Sequence, residues 1–156
     1  MTEIELKAHI DNPDSIEAAL MALPGTRKTG QTVKNDVYLG LAGSPVRVRL
    51  RDENGTHTLT YKRKEVRSDI EVNDEKETEV SNREAVHTLL ADIGFEPFLN
   101  KTKQTRSFSV PYGTDTTVTA EISLVEPLGW FLELEILLEC TDPDEASVSK
   151  ARETLL

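Results

Sequence analysis

Charge alternates with apolar side chains along this chain, and the sign of the charge is sorted segment by segment. Glu3-Ile4-Glu5-Leu6-Lys7 and Arg47-Val48-Arg49-Leu50-Arg51 each place polar groups on one face of an extended segment and apolar groups on the other. Lys62 and Lys64 continue the basic rhythm, whereas Glu75, Glu77 and Glu79, and then Glu133 and Glu135, repeat it with carboxylates. Alternating charge ordinarily marks a solvated strand face. Sorting by sign argues for something else, because like charges side by side across strands destabilise a sheet unless an opposite charge sits between them.

The period-two pattern extends through most of the chain. Asp52-Glu53-Asn54-Gly55 carries the Asn-Gly hairpin signal, with a returning strand from Thr56 to Lys64. Further strands are expected near 31–39, 75–80, 101–110, 117–124 and 131–138, which makes eight. Three segments have helical spacing instead. Asp11 or Asn12 caps the first, which carries Ile16, Leu20 and Leu23 and ends at Pro24-Gly25. Ser81 and Glu84 form a capping box for the second, with Val86, Leu89, Leu90 and Ile93 before Gly94. The third starts at Asp142-Pro143 and runs to the C-terminus, with Val148, Ala151 and Leu155 as its stripe. All three helices are amphipathic and require an apolar partner. Strand, helix and three strands occupy residues 3–64, and the same order occupies 75–138. The halves read as a degenerate duplication folded as one domain spanning 1–156.

Ile4, Leu6, Val48, Leu50, Leu59, Tyr61, Leu132, Leu134 and Ile136 fall on the uncharged face and need burial. If helices cover the outside of a closed or nearly closed sheet, the charged face becomes its lumen. Eight strands leave room there for side chains or one small ligand. A dry, empty lumen of both signs would be costly, whereas water, a polyanion and its cations would satisfy it. Bases at i, i+2 and i+4 lie about 7 Å apart along a strand, a spacing suited to successive phosphates. Carboxylate pairs without His or Cys suit a hard cation, Mg2+ or Mn2+.

Composition limits the alternatives. The 156 residues hold 28 acids against 18 bases, a formal net charge of -10. That balance excludes bulk electrostatic binding of nucleic acid or an anionic membrane surface. No apolar run approaches a membrane span, and Glu3 and Glu5 stand where a signal peptide would need basic and then apolar residues. The lone Cys140 allows no internal disulfide. The expectation from these features is a cytoplasmic protein, with a homodimer as the default assembly. His9, His57 and His87 have neither ligand nor triad spacing, Cys140 has no neighbouring base, and Trp130 reads as a packing residue.

Glu3-x-Glu5-x-Lys7 resembles the E-x-E-x-K signature of the CYTH superfamily, the class IV adenylyl cyclases and thiamine triphosphatases, also called triphosphate tunnel metalloenzymes. The similarity continues in order through Asp36-x-Tyr38, Val46 to Arg51, Leu59-Thr60-Tyr61-Lys62, Glu75 to Val80, Lys101-Thr102-Lys103 and 128–135. The resemblance implies an α+β fold, an eight-stranded antiparallel β-barrel (the triphosphate tunnel) with a charged lumen and helices packed outside. It also implies that Glu3, Glu5, Glu133 and Glu135 are ligands of Mg2+ or Mn2+ or of its water. Arg47, Arg49, Lys62, Lys101 and Lys103 would hold phosphates, with Arg51 and Lys64 on the same face. Lys7 would orient or deprotonate the attacking water or stabilise developing charge, and Glu75, Glu77 and Glu79 would add carboxylates.

Two positions depart from the family pattern. Where the family carries an aspartate this chain has Ser123, with Glu121 as the same-face substitute for metal, and Lys103 stands where arginine is common. The expected activity is metal-dependent hydrolysis of an inorganic or organic triphosphate: tripolyphosphate, ATP or thiamine triphosphate. A cyclase converting ATP to cyclic AMP and pyrophosphate is the alternative, and a non-catalytic polyanion-binding module the third reading.

Overall fold

In chain order the elements are β1 (Thr2–His9), α1 (Pro13–Ala22), β2 (Arg27–Gly40), β3 (Val46–Glu53), β4 (Thr56–Arg67) and β5 (Ile70–Glu79), then α2 (Arg83–Asp92), β6 (Glu96–Tyr112), β7 (Thr116–Glu126), β8 (Gly129–Leu138) and α3 (Glu145–Leu155). The structure, a computed structural model, describes residues 2–67, 70–139 and 143–156, without the side chains of 64–67, 70 and 71. The side chain of Lys64, and Cys140 and Asp142, therefore lie outside the described residues. No helix among the described residues is long and apolar enough to cross a membrane.

The eight strands close into one antiparallel barrel in the order β1-β5-β4-β3-β2-β6-β7-β8. Closure leaves no unpaired edge. Asn54 and Gly55, both with positive φ, make the β3–β4 turn, and Asp52 Oδ1 accepts the Gly55 N–H at 3.2 Å. The strand order is unchanged when β1 is exchanged with β5, β2 with β6, β3 with β7 and β4 with β8. Register follows the same exchange. Lys62 opposite Glu75 maps onto Glu135 opposite Glu5, and Asp36 opposite Arg51 maps onto Thr105 opposite Ser123. Glu3 opposite Asn73, and Lys34 opposite Lys103, map onto themselves.

The apolar face of each strand turns outward under the helices, as the alternation requires. Leu20 of α1 packs on Phe108, Ala120 and Ile122, and Val148, Ala151 and Leu155 of α3 close over Ile4, Val72, Val118 and Ile136. Asn12 and Asn82 cap α1 and α2, accepting from the amides of Ser15 and Ala85. A cap of this kind is worth about 1 kcal/mol.

Three expectations need correction. Asn82, not Ser81, caps α2, because its side chain is the one that reaches the free amide of Ala85. Helix α3 begins at Glu145 behind Asp144, so Pro143 precedes it; Asp144 Oδ1 accepts from Ser147 N at 2.7 Å. Only part of α2's apolar stripe finds a partner: Val86 and Leu90 are half-buried, whereas Leu89 and Ile93 stay exposed. Strands β2 and β6 also run beyond the expected limits, since Pro97, Pro111 and Gly30 sit within paired strands of a closed sheet.

Candidate active site in the tunnel

The inward faces of all eight strands line a continuous bore. Two spaces of about 410 and 310 Å³ meet within it, sharing Glu5, Arg49, Arg51, Lys62, Lys103 and Glu133. The larger adds Glu3, Lys34, Glu75, Glu77, Glu121 and Glu135, and the smaller adds Lys7, Arg47 and Lys101. Thus most residues picked out by alternation come together. Glu79 does not: it is exposed at the end of β5 and lines neither space. Glu77 lines the larger space but is half exposed. Ser123 lies on the inward alternation of β7, beside Glu121, yet it is fully buried against the Thr105 hydroxyl at 3.0 Å.

Many of the charges neutralise one another across the bore, some between adjacent strands and others over an intervening one. Glu133 is held by Lys7 and by Lys103, the latter with Nζ at 2.9 and 3.1 Å from its two oxygens. Lys62 Nζ lies 2.8 Å from Glu75 and 3.7 Å from Glu3. Lys34 Nζ lies 2.6 Å from Glu121 Oε1, and Arg51 donates twice to Asp36 at 2.8 Å, where the carboxylate is fully buried. Lys34 escaped sequence reasoning, and Asp36 enters it only as part of the family pattern, without a role in the site. The signal was the polar alternation Lys34-x-Asp36-x-Tyr38, which mixes signs and so lacks the sorting that marked the other strands.

Other charges are left over. Glu5 and Glu135 stand directly opposite each other on β1 and β8, and neither has a base within ion-pair distance among the described residues. On the basic side, Arg47 donates to the backbone carbonyls of Ser44 and Val46 and has no carboxylate partner among the described residues. Lys101 Nζ lies over the Tyr38 ring with no carboxylate partner among the described residues. Arg49 is intermediate, 3.1 Å from Thr60 Oγ1 and 3.5 Å from Glu77.

Titration follows this division. Burial, then Glu5, Glu121 and Glu75, push the Glu135 carboxyl up to about 7 against the pull of Lys62. Burial also drives Glu3 upward, opposed by Lys62 and reinforced by Glu5. Glu133 goes the other way: burial would raise it, but Lys103 and Lys7 hold it down at about 2. Lys7 is likewise raised, since Glu133 overcomes the effect of burial.

Oxygen donors without His or Cys fit a hard divalent cation. Among the described residues no three such groups already converge on one point, so the donor set is present with ammonium groups occupying part of it. Glu5 and Glu135, free of such partners, are the members best suited to a metal ion, with Glu3 and Glu75 adjacent.

A stability measurement checks the Glu135 environment without any metal. Its folded pKa of about 7 lies above the 4.5 ordinary for a glutamate. The neutral carboxyl therefore contributes stability fully below about pH 4.5, and that contribution is lost as pH rises through about 7. With chelator present, Glu135→Gln is expected to melt above the wild type at pH 8, by on the order of 2 kcal/mol, with the gap closing toward pH 5. Equal melting at both pH values would contradict the buried, repelled state assigned to Glu135.

A closed antiparallel barrel with an ion-lined bore defines a protein of the triphosphate tunnel type. The chain belongs to the CYTH family, whose domain model matches residues 1–156. A curated protein of Methanocaldococcus jannaschii, named "Putative adenylate cyclase", is 27% identical over 142 residues, covering 86% of this chain and 77% of that protein. The PH1012 protein of Pyrococcus horikoshii OT3 superposes with a TM-score of 0.72 at 26% identity, over 98% of this chain and 89% of the other. A Hippeastrum protein reported as a "Putative adenylyl cyclase" with a dominant triphosphatase activity shares the fold. Its TM-score is 0.59 at 13% identity, over 98% of this chain and 85% of its own.

Proposed function

We propose that this protein is a divalent-metal-dependent phosphohydrolase acting on a triphosphate inside the tunnel. The observation that carries the reading is the separation of uncompensated charge. Among the described residues, Glu5 and Glu135 face each other without a basic partner, while Arg47 and Lys101 stand in the same bore without a carboxylate partner. A metal ion and a polyphosphate together would satisfy both sets.

In this reading Glu5 and Glu135, with Glu3 and Glu75, hold Mg2+ or Mn2+. The ion's chemistry is to neutralise phosphate oxygens and to lower the pKa of a bound water. Arg47 and Arg49 offer forked donors to phosphate oxygens, and Lys62, Lys101 and Lys103 act as point charges. Of the roles open to Lys7, its raised pKa favours one. The Nζ remains protonated, so it stabilises charge on the phosphoryl group and is not a base. Water adds to the terminal phosphorus and gives its proton to solvent or to a phosphate oxygen, the anhydride P–O bond breaks, and the departing diphosphate keeps the bonding electrons.

Ser123 is bonded to Thr105, whereas Glu121 lines the same space as Glu135 and would join the metal set by releasing Lys34, as Glu3 and Glu75 would release Lys62. The name of the M. jannaschii relative favours cyclisation of ATP as the second reading. It would use the same bases and carboxylates with the α-phosphorus in line instead.

Phosphorus NMR of the purified protein with tripolyphosphate and with ATP, each with Mg2+ and then Mn2+, separates these readings. Growing orthophosphate is the expected result. Pyrophosphate from ATP without ADP or orthophosphate would replace the hydrolase with a cyclase. Shifted resonances without product would leave a binding module.

A further inference from the structure

Thr60 is fully buried on β4, on the strand face that carries Lys62 into the bore. The ladders set it directly opposite Arg49 on one side and Glu77 on the other. Its Oγ1 accepts from Arg49 Nη2 at 3.1 Å and donates its one proton to Glu77 Oε2 at 2.9 Å. Both directions are fixed by chemistry, because a guanidinium only donates and an ionised carboxylate only accepts. Around this hydroxyl, Arg49 Nη2 and Glu77 stay 3.5 Å apart.

The exchange symmetry of the barrel shows what the hydroxyl stands in for. Arg49 opposite Thr60 maps onto Glu121 opposite Glu133, and Thr60 opposite Glu77 maps onto Glu133 opposite Lys7. The counterpart of Thr60 is therefore Glu133, which neutralises Lys7 and Lys103. A carboxylate at Thr60 would neutralise Arg49 in the same way. A hydroxyl instead fixes the side chain with a hydrogen bond and leaves most of its charge for another partner. Arg49 lines both spaces of the bore, yet its Nε is buried with no acceptor among the described residues. A buried donor of this kind calls for an acceptor.

Resting on the triphosphate reading above, we infer that Thr60 is a positioning residue for phosphate recognition, holding the Arg49 fork in the bore and keeping Glu77 from capturing it. Without the hydroxyl, Arg49 and Glu77 can close from 3.5 Å to a bidentate pair, and phosphate must compete with that carboxylate. A side chain already held in its binding geometry also loses less rotamer freedom when the ligand arrives. Thr60 lines neither space, so it acts through Arg49.

The test is calorimetry of tripolyphosphate binding with Mg2+ for wild type, Thr60→Val, Thr60→Ser, Glu77→Gln and the Thr60→Val and Glu77→Gln double variant. Thr60→Val is expected to weaken binding about tenfold, the scale of one side chain losing its preorganisation, and Thr60→Ser to keep wild-type affinity. Where turnover occurs, KM should rise in Thr60→Val with little change in kcat. In the Glu77→Gln background the valine change should cost much less, because no carboxylate is left to capture Arg49. Denaturant unfolding accompanies each variant, and Thr60→Ala replaces Thr60→Val if the latter fails to fold. Unchanged affinity in Thr60→Val, or a loss shared by Thr60→Ser, would overturn the positioning role. Equal losses in the two backgrounds would overturn the shielding from Glu77. A wild-type protein that binds no tripolyphosphate would instead overturn the triphosphate reading, and this role with it.

Discussion

Glu5→Gln is expected to lower metal-dependent triphosphate hydrolysis by at least about a hundredfold in kcat, the scale of losing one preorganised charge contact. Glu5 and Glu135 are directly opposed across β1 and β8 and lack basic partners among the described residues, so they are the carboxylates left for a cation. Glutamine keeps the size and one oxygen but removes the charge that binds the ion. Folding should not suffer with it. Of the carboxylates that push Glu135 upward Glu5 has the largest effect, and removing it relieves that repulsion. The diagnostic result is therefore lost turnover with no drop in melting temperature at pH 8 in chelator. Wild-type turnover in Glu5→Gln would remove Glu5 from the proposed metal site, and a variant that melts early would show a structural role instead.

The barrel was legible because a closed sheet with an ionic interior forces period-two alternation on nearly every strand, and this chain obeys it. Ile4 between Glu3 and Glu5, and Leu50 between Arg49 and Arg51, are fully buried on the outside while their neighbours line the bore. The carboxylate and basic walls followed from the same periodicity. What escaped did so for local reasons. Lys34 carries the opposite sign to Asp36 on one strand, so no sorting marked it, and Asp36 enters only through the family pattern, without a role; the ladder sets Lys34 against Lys103. Phe98, which lines the smaller space, lies between Pro97 and Leu99 in a bulge, where one inserted residue reverses inside and outside. Glu79 continues the acidic rhythm past the point where the bore ends. Alternation identifies a face but not its length. For α2, hydrophobic spacing predicted a buried stripe including Leu89 and Ile93, yet the helix turns only Val86 and Leu90 inward.

The position of Ser123 becomes intelligible through the exchange symmetry of the barrel. Arg51 bonded to Asp36 corresponds to Ser123 bonded to Thr105, so one side of the bore has a buried ion pair where the other has two hydroxyls. That contrast yields the largest stability effect expected of any single change. Asp36 is fully buried; burial alone would raise its pKa, and Arg51 instead holds it low. Asp36→Asn leaves the Arg51 guanidinium largely buried without its counter-charge, at an expected cost of about 3–5 kcal/mol. The pair itself need not be worth that much, because desolvating two charges offsets most of their attraction. Asp36→Thr combined with Arg51→Ser would copy the hydroxyl pair of the opposite wall. Denaturant unfolding of both single variants and the double is expected to give a double loss well below the sum of the singles. Additive losses would mean that Asp36 and Arg51 stabilise the barrel independently, and the ion pair would then not be what fixes β2 against β3.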